Sequence, residues 1–151
     1  MQSPANKQQV LEWVGTAVNA LEALIAGLPD ARLAEPGVAG TWSTKDILAH
    51  ITWWQLRMLG KLNGESPAFG LPGEDDEAAI LRINDEVYSA HRNQPAAEVR
   101  AAFLAANRLV QEKVAGYSEE FLLAHVEDVA ADTWGHFAEH RQSIEAWLAR
   151  G

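Results

Sequence analysis

Three histidines are the residues of this sequence best suited to hold a metal ion. His136 and His140 stand four positions apart in the stretch DTWGHFAEH, a spacing that places two side chains on the same helix face, about 6 Å apart. His50 lies far upstream in KDILAHITWW, in register with the apolar residues of its own predicted helix. If that helix faces the last one, three imidazoles meet inside the protein. Three such ligands with a position left open for water suit zinc or nickel.

The same histidines also have a simpler interpretation, as buried polar residues satisfied by a backbone carbonyl or an indole. The HExxH motif of zinc proteases is excluded, because Phe137 rather than a glutamate follows the first histidine of the pair. Asp46 and Asp132 each stand four positions before a candidate ligand, and we expect them to accept the other ring N–H. His91 and His125 lie beside polar segments and are expected to be exposed bystanders.

The elements that must position these residues are predicted to be helices throughout. The apolar residues follow a 3.6-residue period, and no alternating strand pattern of useful length interrupts it. Ser43 and Asp46 form a predicted capping box at the start of the helix that carries His50. The pattern predicts an all-α protein, most simply a four-helix bundle with one short extra helix, folded as a single domain over residues 1–151. The expected segments are a helix from an N-cap at Ser3 to Pro29, a loop to Trp42, helices over 43–64, 75–91 and 95–116, a short helix capped by Ser118, and a last helix from about Glu127.

The composition restricts the possible partners and chemistry. With 151 residues, 48% of them hydrophobic, the chain can bury its own core. The net charge of −9 argues against nucleic acid and anionic membranes, because both attract basic surfaces. The absence of cysteine excludes disulfides, thiolate ligands and a cysteine nucleophile. No stretch approaches the roughly 20 apolar residues of a membrane span, and we expect a cytoplasmic protein.

Three stretches resemble the DinB-like superfamily of helix bundles, and within it the ClbS/DfsB group. They are EPGVAGTWSTKDILAHITWWQLRMLGKL around the second helix, INDEVYSAHRNQPAAEVRAAFLAANRLVQEKV in the middle, and the closing DTWGHFAEHRQSIEAW. Together they extend over nearly the whole chain. The resemblance implies a bundle of the DinB/maleylpyruvate isomerase-like type, often a homodimer, with a divalent metal held by His50, His136 and His140.

The resemblance also implies two different functions. Relatives in the superfamily include metal-dependent enzymes that use a low-molecular-weight thiol, whereas the ClbS branch includes a protein that protects its producer from a DNA-damaging metabolite without needing the histidine triad. We therefore expect a metal-dependent hydrolase or thiol transferase that detoxifies a small electrophilic substrate. The alternative is a metal-free protein that binds and sequesters such a molecule. Trp53, Trp54 and loop residues 65–74 are the expected walls of the pocket.

Overall fold

The computed structural model describes residues 3–65 and 69–151, and within these ranges it contains eight helices and no β-strand. The all-α class predicted from the sequence is confirmed. No helix of the described residues combines the length and the hydropathy that crossing a membrane requires. The helices are α1 (Lys7–Ala26), α2 (Asp30–Leu33), α3 (Thr44–Leu62), α4 (Asp76–His91), α5 (Ala96–Gly116), α6 (Glu119–Ala124), α7 (Val126–Ala131) and α8 (Trp134–Ala149).

Four long helices close into a ring around the main core. Helix α1 contacts α5 and α8, and α3 contacts the same two helices from the other side. Each helix turns a periodic apolar stripe inward, as amphipathic helices of a bundle do. The predicted four-helix bundle is therefore confirmed, with three short helices rather than one in its connections. On α1, the buried stripe consists of Val10, Val14, Val18, Leu21 and Ile25.

Helix α4 packs outside this ring, against α3. Ile83 and Val87 of α4 form a small cluster with Trp54 of α3, separate from the main core. The indole Nε1 of Trp54 also donates a hydrogen bond to Oδ1 of Asn84, at 2.8 Å. Phe69, in the segment before α4, packs against the same cluster. Helix α4 therefore packs against α3 through a small cluster that is separate from the main core.

Two predicted boundaries near the start of the chain are wrong. Asn6 rather than Ser3 caps α1, and its Oδ1 accepts a hydrogen bond from the N–H of Gln9 at 2.9 Å. Asparagine and serine cap helices about equally well, so the sequence allowed either position. The segment expected to be an irregular loop up to Trp42 contains the single-turn helix α2, whose Leu33 is fully buried in the core.

The single helix expected at the end of the chain is interrupted between α7 and α8. Thr133 leaves the helical conformation, with φ −128° and ψ −111°, and its Oγ1 donates to the carbonyl of Val129 at 2.6 Å. Gly135 follows in the first turn of α8, where a Cβ would lie only 2.8 Å from the carbonyl oxygen of Ala130. The absence of a side chain at Gly135 therefore permits the end of α7 to lie against the start of α8.

Candidate metal centre

The three histidines predicted as ligands lie together where α3 faces α8. Nε2 of His136 lies 3.0 Å from Nε2 of His50 and 2.8 Å from Nε2 of His140. The ring centroids are 4.5 to 5.0 Å apart for all three pairs. Across residues 3–65 and 69–151, this is the one group of three or more His, Cys, Asp or Glu side chains whose ligand atoms all lie within 4.8 Å of one another.

Two regular helices position the three rings. His50 is 6% exposed on the inner face of α3, one turn after Ile47 and one turn before Trp54. His136 and His140 occupy successive turns of α8, so their side chains leave the helix in the same direction. All three histidines therefore lie within helices, and none of the three is on a loop.

Burial keeps the three imidazoles neutral. Desolvation, with repulsion from the neighbouring rings, lowers the pKa of His50 to about 3. Desolvation likewise lowers the pKa of His136 to about 4, and that of His140 to about 4. At neutral pH each ring is uncharged and has one nitrogen lone pair available. Metal ligation requires this protonation state.

Hydrogen bonds between the rings do not account for all of the close contacts between their nitrogens. Nε2 of His136 faces two other ring nitrogens, but a ring nitrogen carries either one hydrogen or one lone pair. Only one of the two close contacts can therefore be a well-formed hydrogen bond. A cation at the common point would accept the lone pairs of all three Nε2 atoms, and ligands about 2.1 Å from one ion lie roughly 3.0 to 3.4 Å apart in octahedral and tetrahedral sites, respectively. The donor set fits a divalent metal.

The carboxylates expected to hold the other ring nitrogens do not do so. Asp46 accepts hydrogen bonds from the N–H and the Oγ–H of Ser43, at 2.8 and 2.9 Å, and closes the capping box of α3. Among the described residues, Nδ1 of His50 and Nδ1 of His136 have no hydrogen-bond partner. The prediction is wrong because the first amides of a helix compete for Asp46, and because the helix is interrupted between Asp132 and His136.

A cavity of about 710 Å³ opens onto the triad between α3, α4, α7 and α8. Its aromatic walls are Trp42, Trp54 and Phe69. Trp54 lines the cavity as expected, whereas Trp53 packs beside it, with ring centroids 4.9 Å apart, and does not line it. Of the loop expected to form a wall, residues 66–68 lie outside the described residues. The volume is in the range of small-molecule sites.

The polar side of the cavity includes groups that the sequence analysis missed. Arg57 lies seven positions after His50, a spacing of two turns that could have placed it on the same face. Asp132, which the sequence analysis expected in another role, also lines the cavity, and burial raises its pKa to about 7 although nearby Arg57 opposes the shift. Lys61 and Asp128 form an ion pair at 2.7 Å.

Comparisons with known proteins agree on the fold. A family model described as the DinB superfamily matches residues 14–149. Similar solved structures include the sibling lethal factor precursor DfsB, with 16% identity over 97% of each chain and a TM-score of 0.79. The colibactin self-resistance protein ClbS, solved in complex with a dsDNA, has 12% identity over 95% of each chain and a TM-score of 0.80.

An uncharacterised protein from Escherichia coli UTI89 has 12% identity over 98% of this chain and 95% of its own, with a TM-score of 0.83. No curated protein matches the sequence. Likeness at these identities concerns the fold, because one fold carries many chemistries. At that level, the resemblance to the ClbS/DfsB group is confirmed.

Proposed function

The chain belongs to the DinB superfamily, and on that premise we propose that it is a metal-dependent enzyme acting on a small electrophilic molecule. The observation that carries the proposal is the convergence of three neutral imidazoles from α3 and α8 on the wall of a cavity. Buried, unprotonated nitrogen ligands beside a space for a substrate are what an open catalytic metal site requires. The expected metal is zinc or nickel.

In this proposal, His50, His136 and His140 hold the ion. When bound, the ion supplies Lewis-acid activation of a water or a thiol. The protein's own contribution is to keep three rings neutral, fixed by two helices and partly shielded from solvent. Because the chain has no cysteine, a thiol nucleophile would come from a low-molecular-weight cofactor. The reaction is accordingly hydrolysis or thiol transfer, with a role in detoxification.

Metal analysis of protein purified without a polyhistidine tag tests this proposal. We expect mass spectrometry to find about one zinc or nickel ion per chain after reconstitution. His136→Ala and His50→Ala should each abolish the bound metal. His91→Ala is the matched control, because His91 pairs with Gln94 at 2.7 Å and does not line the cavity. Absence of metal from reconstituted wild-type protein would defeat the proposal.

The second candidate function is metal-free protection, in which the cavity sequesters a toxic electrophile. The similar structure of ClbS, described as a self-resistance protein, favours it. Replacing all three histidines distinguishes the two functions, since sequestration without metal should survive the change and metal-dependent turnover should not. ClbS was solved with dsDNA, but the net charge of −9 leads us to expect no binding of this chain to a DNA duplex in a fluorescence titration.

We also propose that the chain forms one domain over residues 1–151 and acts as a cytoplasmic homodimer. The shared core of α1, α3, α5 and α8 supports the first statement, and the family resemblance supports the dimer. Calorimetry should show one cooperative unfolding transition. Light scattering should give twice the chain mass of 16.5 kDa, and a mass of one chain would exclude the dimer.

A further inference from the structure

Arg57 lies on the wall of the cavity that contains the triad, with its guanidinium carbon against the ring of Phe69 and near the ring of Trp54. Its Cζ lies 4.6 Å from the ring centroid of Phe69 and 5.7 Å from that of Trp54. A contact of this kind between a guanidinium and an aromatic ring is a cation–π interaction, and it does not use the N–H groups as hydrogen-bond donors. The contact with Phe69 therefore holds the guanidinium at the cavity wall and leaves its donors for other groups.

Arg82 of α4 fixes the aromatic side of this arrangement. Its Nη2 donates a hydrogen bond to the backbone carbonyl of Phe69, at 2.8 Å, and its Nε donates to Glu74 at 2.9 Å. Glu74 in turn accepts from the backbone N–H of Leu71, at 2.9 Å. These bonds hold the segment before α4 so that the ring of Phe69 stays over Arg57.

Arg57 has no anionic partner within the described part of the chain. Its Nε is buried and forms no hydrogen bond with residues 3–65 or 69–151. The other cation of the cavity differs, because Lys61 donates to Asp128 at 2.7 Å. Because Arg57 is half-buried and lines the cavity, an anion there would meet a charged donor that has no competing ion pair among the described residues.

The remaining carboxylates of the cavity wall do not neutralise Arg57. Asp76 and Glu139 are exposed to solvent, where water screens their charge. Asp132 lies near enough for Arg57 to lower its pKa, against the larger effect of burial, but the two side chains form no ion pair in the described part of the chain. Of the Arg and Lys side chains that line the described cavity, Arg57 is therefore the one without an ion-pair partner among residues 3–65 and 69–151.

We propose that Arg57 binds an oxyanion of the substrate while a flat, unsaturated body lies against Trp42 and Trp54. The proposal rests on the proposed function only in taking this cavity as the active site. A guanidinium fork matches a carboxylate in two parallel hydrogen bonds, and indole faces suit planar apolar groups. The substrate class is therefore a small aromatic or unsaturated carboxylate, and a phosphonate or phosphate would present the same chemistry.

Calorimetric titration of the metal-free protein with benzoate tests the inference. Arg57→Met should weaken benzoate binding at least about tenfold, because the loss of a hydrogen bond between charged groups typically reduces affinity by that factor or more. Benzamide, the neutral analogue, should bind both proteins within about twofold of each other. Arg57→Lys keeps the charge but loses the fork, so its affinity for benzoate should lie between those of the wild type and Arg57→Met. Arg108→Met on the exposed face of α5 is the matched control and should bind benzoate as the wild type does.

The same titrations distinguish a carboxylate from a phosphorus oxyanion, and they distinguish the Arg57 subsite from the metal site. Tighter binding of phenylphosphonate than of benzoate, with the same dependence on Arg57, would assign the subsite to phosphorus oxyanions. Equal benzoate affinity in wild type and Arg57→Met, both folded by circular dichroism, would overturn the inference even in a protein that binds zinc. Dependence on Arg57 in a protein that takes up no zinc would support the inference and defeat the metal-dependent function.

Two further outcomes complete the test. If Arg57→Met does not fold, wild-type affinity in Arg57→Lys would overturn the inference, and weakened affinity would support it. Failure of both benzoate and phenylphosphonate to bind the wild type at millimolar concentrations would also overturn it.

Discussion

Lowering the pH from about 7 to about 5 should destabilise the metal-free protein, because the three cavity histidines are neutral in the folded state. Burial lowers the pKa of His50 to about 3 and those of His136 and His140 to about 4, from an ordinary 6.5. Below pH 6.5 the unfolded chain therefore binds more protons than the folded chain. The stability that these neutral rings provide is present above that pH and is lost as the pH falls toward their folded pKa values.

The magnitude follows from the size of the pKa differences. At about 1.36 kcal/mol per pKa unit, each histidine loses about 2 kcal/mol over this interval, and the three together lose up to about 6 kcal/mol. Asp132 acts in the opposite direction, because burial raises its pKa from 3.8 to about 7 and the folded state takes up its proton first. That uptake stabilises the folded state by about 2 kcal/mol over the same pH interval. The net loss of about 3 to 4 kcal/mol is a large part of the 5–15 kcal/mol, roughly, that stabilises an ordinary domain.

Urea unfolding of chelator-treated protein, followed by tryptophan fluorescence at several pH values, measures this loss. A variant with glutamine in place of His50, His136 and His140 retains Asp132 and should instead gain about 2 kcal/mol over the same interval. Both proteins keep the two remaining histidines, so those contributions cancel in the comparison. A wild-type stability that is constant or rises on acidification, or a triple variant that loses as much as the wild type, would refute the reasoning.

Two substitutions test the elements around the site. Gly135→Ala should lower the free energy of unfolding by about 1–3 kcal/mol, because the added Cβ would lie 2.8 Å from the carbonyl of Ala130. Gly116→Ala should not lower it in this way, because the added Cβ would meet nothing within 4 Å. Equal free energies of unfolding for the two variants would contradict the close approach of Gly135 to Ala130. Asp46→Ala should cost about 1–2 kcal/mol through the lost cap and leave the zinc content unchanged. Loss of zinc there would instead show that Asp46 supports the ring of His50.

The sequence predicted the helices and their inner faces because both depend on local periodicity. The apolar stripes and the capping box at Ser43 identified α3 and placed His50 inside. The interruption before α8 was not predicted, because threonine and glycine near a helix end are compatible with a continuous helix. The break depends on how α7 packs against α8, and Thr133 and Gly135 acquire their roles only in that context.

The candidate site was predictable in part. Spacing within α8 predicted that His136 and His140 share a face, but no local pattern states which helix faces another, so their meeting with His50 required the family resemblance. Arg57 was missed because a charged residue on a helix is usually solvated. What distinguishes Arg57 is its contact with the ring of Phe69. Phe69 lies outside α3, in the segment before α4, so the helical pattern around Arg57 does not predict the contact.

Because α4 packs separately from the ring of four helices, the two sides of the cavity are held by different sets of contacts. The ring of four helices fixes the imidazoles through the main core, whereas α4 covers them through a small cluster of its own. Asp76 and Ile80 are exposed residues of α4 that line the cavity, so exchanges there reshape the opening while the apolar groups buried among α1, α3, α5 and α8 stay the same. The architecture thus separates the residues that hold the triad from those at the rim of the cavity, so a change at the rim leaves the packing around the triad intact.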